Sequence, residues 1–196
     1  MTPADGRRVR AYAAEGAVWA RLAALLPGAD DADEVRGCWE IGEQEAGLEV
    51  LVGRLLEQEL AVGDTARAEL AVMAEQWGVW DRLGTGIVAC LPGPAGPARL
   101  RVHEDGAGPP VPARSVLEDP APGGLVLVPW VSCAGCGLVL ARAHVYEEWE
   151  ELSYLAEAYV VHAPGASRPP RVFARSEADD AAWSALAALR EGCGCG

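Results

Sequence analysis

The chain has 196 residues, 51% of them apolar, and this length and composition predict a folded globular protein with a sizeable core. All 16 basic residues are arginine, which excludes Schiff-base catalysis and a P-loop lysine, because both need a lysine ammonium group. The formal net charge of −13 repels phosphate backbones, so we expect no nucleic-acid partner and favour a basic protein partner.

The amino-terminal stretch MTPADGRRVRAYAAEG lacks the apolar region of a secretory signal peptide. We therefore expect a cytoplasmic protein whose six cysteines are free thiols, metal ligands or redox groups rather than structural disulfides. Residues 123–141 carry no charge, but their proline, serine and glycine residues favour two buried strands and a turn over a membrane-spanning helix. We expect no membrane association.

The region 1–92 is predicted to be helical. In residues 11–28, apolar side chains recur every three or four positions, and the pattern ends at a Pro-Gly pair. After an acidic linker at residues 28–35, a second helix is predicted over 38–60, and a third begins at Asp64. The short AVGD connection between these two helices predicts an αα-hairpin whose apolar faces pack together.

The region 93–196 is predicted to be an antiparallel β region with a C-terminal helix and a flexible Cys/Gly tail. Proline- and glycine-rich segments, LPGPAGPARL and EDGAGPPVPA, indicate linker and loop at its start. The whole chain is therefore predicted to be α+β, a helical segment followed by a small antiparallel sheet. Strands are predicted within residues 98–104, 124–133, 137–147, 158–163 and 171–175, and the helix over 176–190.

The segment PWVSCAGCGLVLARAH places Cys133 and Cys136 at C-x-x-C spacing, with a glycine after the second cysteine. A hairpin of this kind brings two thiolates together with the turn's amides facing the sulfurs, which is typical of one half of a tetrahedral zinc site. A structural zinc needs two further ligands, and the sequence contains no second C-x-x-C. Candidates for the remaining ligands are Cys38, Cys90, His103, His144, His162, Cys193 and Cys195.

A redox pair of the thioredoxin type needs a helix directly after the first cysteine, because the helix amino terminus lowers the pKa of the thiol. Here a strand is predicted to follow instead. Three interpretations of Cys133 and Cys136 therefore stay open: a structural turn with incidental thiols, a zinc site, and a redox pair.

The segment CWEIGEQEAGLEVLVGRLLEQELAVGDTARAELAVMAEQWGV, residues 38–79, resembles the small helical immunity proteins of the MafI type and of related contact-dependent inhibition systems. The resemblance is carried by an acidic Gly42-Glu43 segment, a leucine-rich helix, a short polar connection and a second amphipathic helix. Apolar positions that match are Leu48, Leu51, Leu55, Leu56, Leu60, Leu70 and Trp77.

That resemblance implies that the protein binds a cognate toxin and blocks its active site. Many such toxins are nucleases with positively charged channels, so an acidic surface would imitate the phosphates of the substrate. The residues that would form this surface are Glu40, Glu43, Glu45, Glu49 and Glu57.

Signatures of catalysis are absent from the sequence, which has no G-x-S-x-G, H-E-x-x-H or glycine-rich phosphate loop. His144 and His162 lie in predicted strands, where we expect hydrogen-bonded structural histidines. We therefore predict a protein that acts through binding, as an immunity-like protein against a basic toxin. The alternative is a small zinc-stabilised or thiol-dependent protein that uses the C-x-x-C hairpin.

Overall fold

The structure is a computed structural model that describes residues 3–94, 99–105, 110–117, 124–147, 152–165, 169–175 and 180–193, with side chains from residue 12 onward. These residues form six α-helices and a six-stranded antiparallel sheet, which confirms the predicted α+β class. The chain divides into two compact units, a helical unit Met1–Pro94 and a unit Ala95–Gly196 that contains the sheet and the last helix.

Five helices make up the described part of the first unit. α4 lies at the centre of this unit, since residues 68–75 are buried without interruption. α3 contacts α4 as the predicted αα-hairpin, and it also packs against α2 and α5, so its apolar face is shared among three helices. The helices are α1 (Pro3–Ala23), α2 (Ala29–Ile41), α3 (Gln44–Glu57), α4 (Asp64–Gln76) and α5 (Trp80–Ala89).

The predicted acidic linker at residues 28–35 is wrong, because α2 begins at Ala29. Asp30 and Asp31 occupy the first turn of this helix, where the helix dipole favours negative charge. Ala32 and Val35 give the helix a buried side. A run that looks like solvated linker is therefore a short amphipathic helix whose acidic residues suit its amino terminus.

The single helix predicted over residues 38–60 is interrupted at Gly42. This glycine has a φ of +87°, in the left-handed region that L side chains rarely adopt. The amides of Gly42 and Glu43 donate to the carbonyls of Trp39 and Cys38, which is the pattern of a Schellman cap. Ile41, the last residue of α2, is consequently 76% exposed.

The sheet in the second unit follows the order β1-β3-β4-β5-β6, with β2 also paired to β3. Every pairing is antiparallel, and the strands predicted from the sequence are confirmed. EDGAGPPVPA, predicted as loop, also contributes the two-residue strand β2. The strands are β1 (Leu100–Val102), β2 (Val111–Pro112), β3 (Leu125–Cys133), β4 (Val139–Val145), β5 (Ala158–His162) and β6 (Arg171–Ala174).

The core of the second unit lies on the central strands. Leu127, Ala141, Ala143 and Val160 pack together from β3, β4 and β5. The last helix, α6 (Ala181–Gly192), contacts β4, β5 and β6 through a side that includes buried Leu186. Among the residues that the structure describes, no helix has both the length and the apolar character needed to cross a membrane.

Candidate metal centre

The turn between β3 and β4 is built around Cys133, the last residue of β3. The Cys133 amide donates to the carbonyl of Leu138 at 2.8 Å, and the Gly137 amide donates to the carbonyl of Cys133 at 2.9 Å. Gly137 closes this turn with a φ of +73°, so a glycine suits the position. The sequence CAGCG therefore folds into a tight turn that presents both cysteines at one end of the sheet.

A third cysteine reaches this turn from the end of α6. The helix ends at Gly192, and Cys193 leaves it in an extended conformation with φ −82° and ψ 103°. Leu138 of the turn lines the same shallow cleft as Ala188 and Gly192 of α6. The docking of α6 on the sheet therefore carries Cys193 to the β3–β4 turn.

The three sulfur atoms lie close together. The Sγ atom of Cys193 is 3.0 Å from that of Cys133 and 3.5 Å from that of Cys136, and all three lie within 4.8 Å of one another. Cys133 is buried, Cys193 is partly buried and Cys136 is exposed. All three carry thiols that are not joined in disulfides, and thiols are the chemical precursors of thiolate ligands.

Hydrogen bonds favour the thiolate form of Cys133. Burial by itself raises the pKa of this thiol, but hydrogen bonds from the Cys193 thiol and from the amides of Cys136 and Gly135 lower the pKa to about 7. The Gly135 nitrogen lies 3.4 Å from the Cys133 sulfur. Cys133 is therefore ionised to a substantial extent at neutral pH, and the thiolate is the form that binds metal.

Three thiolates at this spacing need a positive charge near them. Like charges within about 4–6 Å disfavour ionisation of one another, and the carboxyl end of a helix carries a partial negative charge as well. A bound divalent cation removes both penalties. Sulfur ligands select zinc, copper(I) and iron–sulfur chemistry over magnesium or calcium, so the cluster of Cys133, Cys136 and Cys193 can hold a soft metal ion.

Of the three cysteines in the cluster, Cys133 and Cys136 form the C-x-x-C motif of the sequence, whereas Cys193 was one of several candidates for a further ligand. Its signal was the C-G-C tail, but sequence spacing could not show that α6 ends at the turn. Cys195 lies outside the described residues. Of the described candidates, Cys38, Cys90, His103, His144 and His162 do not belong to the cluster.

Two histidines of the second unit, His103 and His144, have hydrogen-bond partners within that unit. His103 Nε2 lies 2.7 Å from the hydroxyl of Ser132, and His144 Nδ1 lies 2.7 Å from the backbone carbonyl of Ser153. His144 and His162 lie in β4 and β5, as expected. Burial lowers the pKa of His103, helped by the charge of Arg101, and burial also lowers the pKa of His162.

The glutamates predicted to bind a partner are all exposed, on α2, α3 and the connection between them. Arg82 of α5 forms ion pairs with Glu45 at 3.4 Å and Glu49 at 2.8 Å. Arg54 likewise pairs with Glu57 at 2.9 Å. Part of the predicted acidic surface is therefore neutralised by arginines of the same unit.

Glu40 and Glu43 differ from the other three glutamates. No ion pair to either is present in the part of the chain that the structure describes. They flank Ile41, whose side chain is 76% exposed. The corner between α2 and α3 thus presents one apolar side chain between two negative charges.

Comparison with known proteins leaves the resemblance of residues 38–79 to MafI-type immunity proteins as a prediction. No protein-family model, no curated protein and no solved structure matches this chain.

Proposed function

We propose that this protein binds zinc through Cys133, Cys136 and Cys193, and that the ion fastens the end of α6 to the β3–β4 turn. The observation that supports this proposal is the convergence of three thiols, from a hairpin and from a helix end 57 to 60 positions away, within 4.8 Å. If the thiols of the turn were incidental, there would be no reason for the sulfur of Cys193 to lie beside them.

The spacing of the sulfurs suits tetrahedral coordination by zinc. Zn–S bonds of about 2.3 Å at tetrahedral angles place sulfur atoms roughly 3.8 Å apart. The separations from the Cys193 sulfur to the sulfurs of Cys133 and Cys136, 3.0 Å and 3.5 Å, need to widen by less than an ångström. The exposed side chain of Cys136 and the extended backbone at Cys193 leave room for that adjustment.

The proposed role of the ion is to stabilise a binding protein. Three thiolates from one chain are typical of structural zinc sites, and the free energy of zinc binding contributes directly to folding in such sites. α6 packs on the sheet mainly through small side chains, with buried Ala181, Ala182, Ala185 and Ala188 beside Leu186 and Leu189. A metal crosslink at its carboxyl end adds to this small apolar contact.

Metal analysis of protein purified without added metal tests the proposal. We expect about one zinc per chain in the natural sequence and none in a Cys133→Ser/Cys136→Ser variant. Cys38→Ser is the matched control, because Cys38 lies in α2 of the first unit and does not belong to the cluster. A natural chain that holds no zinc, even after incubation with zinc under reducing conditions, would contradict the proposal.

As a second function, we propose that the first unit neutralises a basic toxin. The observation that favours it is the exposed Ile41 between Glu40 and Glu43 at the corner of α2 and α3. An apolar side chain with two flanking carboxylates suits a partner that offers an apolar cleft bordered by basic groups. The resemblance of residues 38–79 to immunity proteins supports the same partner class.

This second proposal predicts a toxin gene beside the gene for this protein. Co-expression of the two should restore the growth of cells that the toxin alone arrests. Glu40→Arg/Glu43→Arg should weaken the rescue, whereas Glu147→Arg, an exchange in the second unit, should not. A toxin whose effect is the same with and without this protein would contradict the proposal.

A further inference from the structure

We propose that β6 docks an extended acidic segment of a partner protein, which pairs with the open edge of this strand and lengthens the sheet. The proposed surface belongs to the second unit and involves neither the zinc site nor the corner between α2 and α3. Two features of β6 support the proposal: unpaired backbone groups along its outer edge, and an arginine at each end of that edge.

β6 is the last strand of the sheet, and its outer edge is open. The strand pairs with β5, and no other strand in the described ranges pairs with it. All four residues of β6 are exposed or half-buried, and Val172 is 52% exposed. An open edge of this kind offers a row of amide and carbonyl groups, and peptide-binding domains that add a strand to their sheet use such a row.

The register of β5 and β6 identifies the backbone groups that face outward. The Arg175 amide donates to the carbonyl of Glu157 at 3.1 Å, so the backbone of Arg175 faces β5. Backbone groups of an antiparallel strand alternate between its two sides, so those of Phe173 also face β5. The amides and carbonyls of Val172 and Ala174 consequently face outward, and no hydrogen bond to them is present in the part of the chain that the structure describes. A docked strand therefore gains two donors and two acceptors.

Two arginines make this edge locally basic. Arg171 begins β6, Arg175 directly follows it, and the three residues between them are uncharged. The side chain of Arg171 is 48% exposed, and Arg175 is half-buried. Side chains four positions apart in a strand share one face, so both arginines lie on the same side of the sheet. Carboxylates at alternate positions of a docked segment would face them, whereas apolar side chains at the positions between would lie beside exposed Val172.

The acidic neighbours of these arginines do not neutralise the edge. Glu191 of α6 lies 3.8 Å from Arg171, and because both side chains are exposed this pair contributes little. Glu157 lies opposite Arg175, but no ion pair joins the two among the described residues. Acidic residues farther away than about 8 Å are largely screened at physiological ionic strength. The net charge of −13 therefore does not prevent an acidic segment from binding here.

A second copy of this chain fits the same edge less well. Two antiparallel β6 strands that pair through Val172 and Ala174 place Arg171 of one copy opposite Arg175 of the other, twice in each dimer. Like charges directly opposite each other destabilise a strand pair. An acidic segment replaces this repulsion with attraction, so charge favours a different protein as the occupant.

Peptide binding to the full chain tests the proposal. The probe is a short peptide of alternating glutamate and valine, and the control peptide carries glutamine in place of glutamate. We expect the acidic peptide to bind at least about tenfold more tightly than the control peptide. Arg171→Gln/Arg175→Gln should remove this preference, whereas Arg101→Gln, at an exposed position of β1, should keep it. Ala174→Pro should weaken both peptides, because it removes an outward donor and leaves the hydrogen bonds to β5 in place.

Nuclear magnetic resonance identifies the edge that the peptide occupies. Slower exchange of the Val172 and Ala174 amides in the complex would support the proposal. A natural chain that binds neither peptide, or that binds both equally well, would overturn it. A dimer of the natural chain that Ala174→Pro dissociates would assign the edge to a second copy and would also overturn it.

Discussion

The Sγ atom of Cys193, one residue beyond α6, lies 3.0 Å from the Sγ atom of Cys133, the last residue of β3. The two cysteines are 60 positions apart in the sequence, and only the packing of α6 on the sheet brings them together. This contact adds a third thiol to the C-x-x-C turn, and the three thiols together form a cluster that could hold a metal ion.

Oxidation of the metal-free protein should join Cys193 to Cys133 in preference to Cys136. The Sγ of Cys193 is closer to Cys133, at 3.0 Å against 3.5 Å, and the pKa of Cys133 is lowered to about 7, so this thiolate attacks more readily. With diamide as the oxidant, which accepts two electrons and two protons, peptide mass spectrometry identifies the disulfide. The measurement is best made in Cys195→Ser, which removes a competing thiol. A dominant Cys136–Cys193 disulfide would contradict the geometry.

Replacement of Gly137 by alanine should destabilise the β3–β4 turn. A Cβ atom at this position meets no atom within 4 Å, so steric contact does not oppose the substitution. The φ of +73° does oppose it, because an L residue in this left-handed conformation loses about 1–2 kcal/mol of stability. Gly53→Ala is the matched control, because a Cβ there also meets nothing but the residue lies within α3. Chemical denaturation should show a lower free energy of unfolding for Gly137→Ala and a free energy of unfolding raised by roughly 0.5–1 kcal/mol for Gly53→Ala.

Stability should fall as the solution becomes mildly acidic. The pKa of His103 is lowered by burial and by Arg101, and the pKa of His162 is lowered by burial. Below about pH 6.5 the unfolded chain therefore binds more protons than the folded protein, and the free energy of unfolding decreases as the pH falls towards the lowered values. Urea unfolding across this range measures how steeply the free energy of unfolding depends on pH. The variant His103→Gln/His162→Gln should show a weaker dependence. An unchanged dependence in that variant would assign the effect to other groups.

Removal of the negative charges of Glu40 and Glu43 should leave the stability of the protein unchanged. Glu40 and Glu43 are exposed, so Glu40→Gln/Glu43→Gln should shift the free energy of unfolding by less than about 0.5 kcal/mol. Glu45→Gln/Glu49→Gln removes both ion pairs to Arg82, and exposed pairs of this kind are worth roughly 0.2–1 kcal/mol each. A large decrease in the free energy of unfolding of Glu40→Gln/Glu43→Gln would mean that these carboxylates stabilise the fold rather than bind a partner.

The sequence predicted the sheet better than the helical boundaries. Runs of β-favouring residues in GLVLVPWVSC and GLVLARAHV identify β3 and β4, and both runs have the length of a strand. In contrast, GADDADEV looked like a linker because its charges hide a short buried side formed by Ala32 and Val35. The break at Gly42 was also missed, since the apolar period continues across a left-handed cap.

The candidate site was predictable only in part. The C-x-x-C spacing marks Cys133 and Cys136 because both candidate ligands come from one local turn, and the same turn places an amide near the sulfur of Cys133. Cys193 depends on the length of α6 and on how that helix packs, which local sequence does not encode. Cys38 and Cys90 carry the same side chain, and the fold places them in the other unit.

Hydrogen exchange of the full chain with and without zinc tests most directly whether the ion fastens α6 to the β3–β4 turn. We expect removal of zinc by a chelator to speed exchange in the last turn of α6 and at residues 134–138, and restored zinc to reverse it. The amides of α4 should keep their protection in both states, since residues 68–75 are buried in the other unit. Equal exchange at α6 and at the turn with and without zinc would contradict the account.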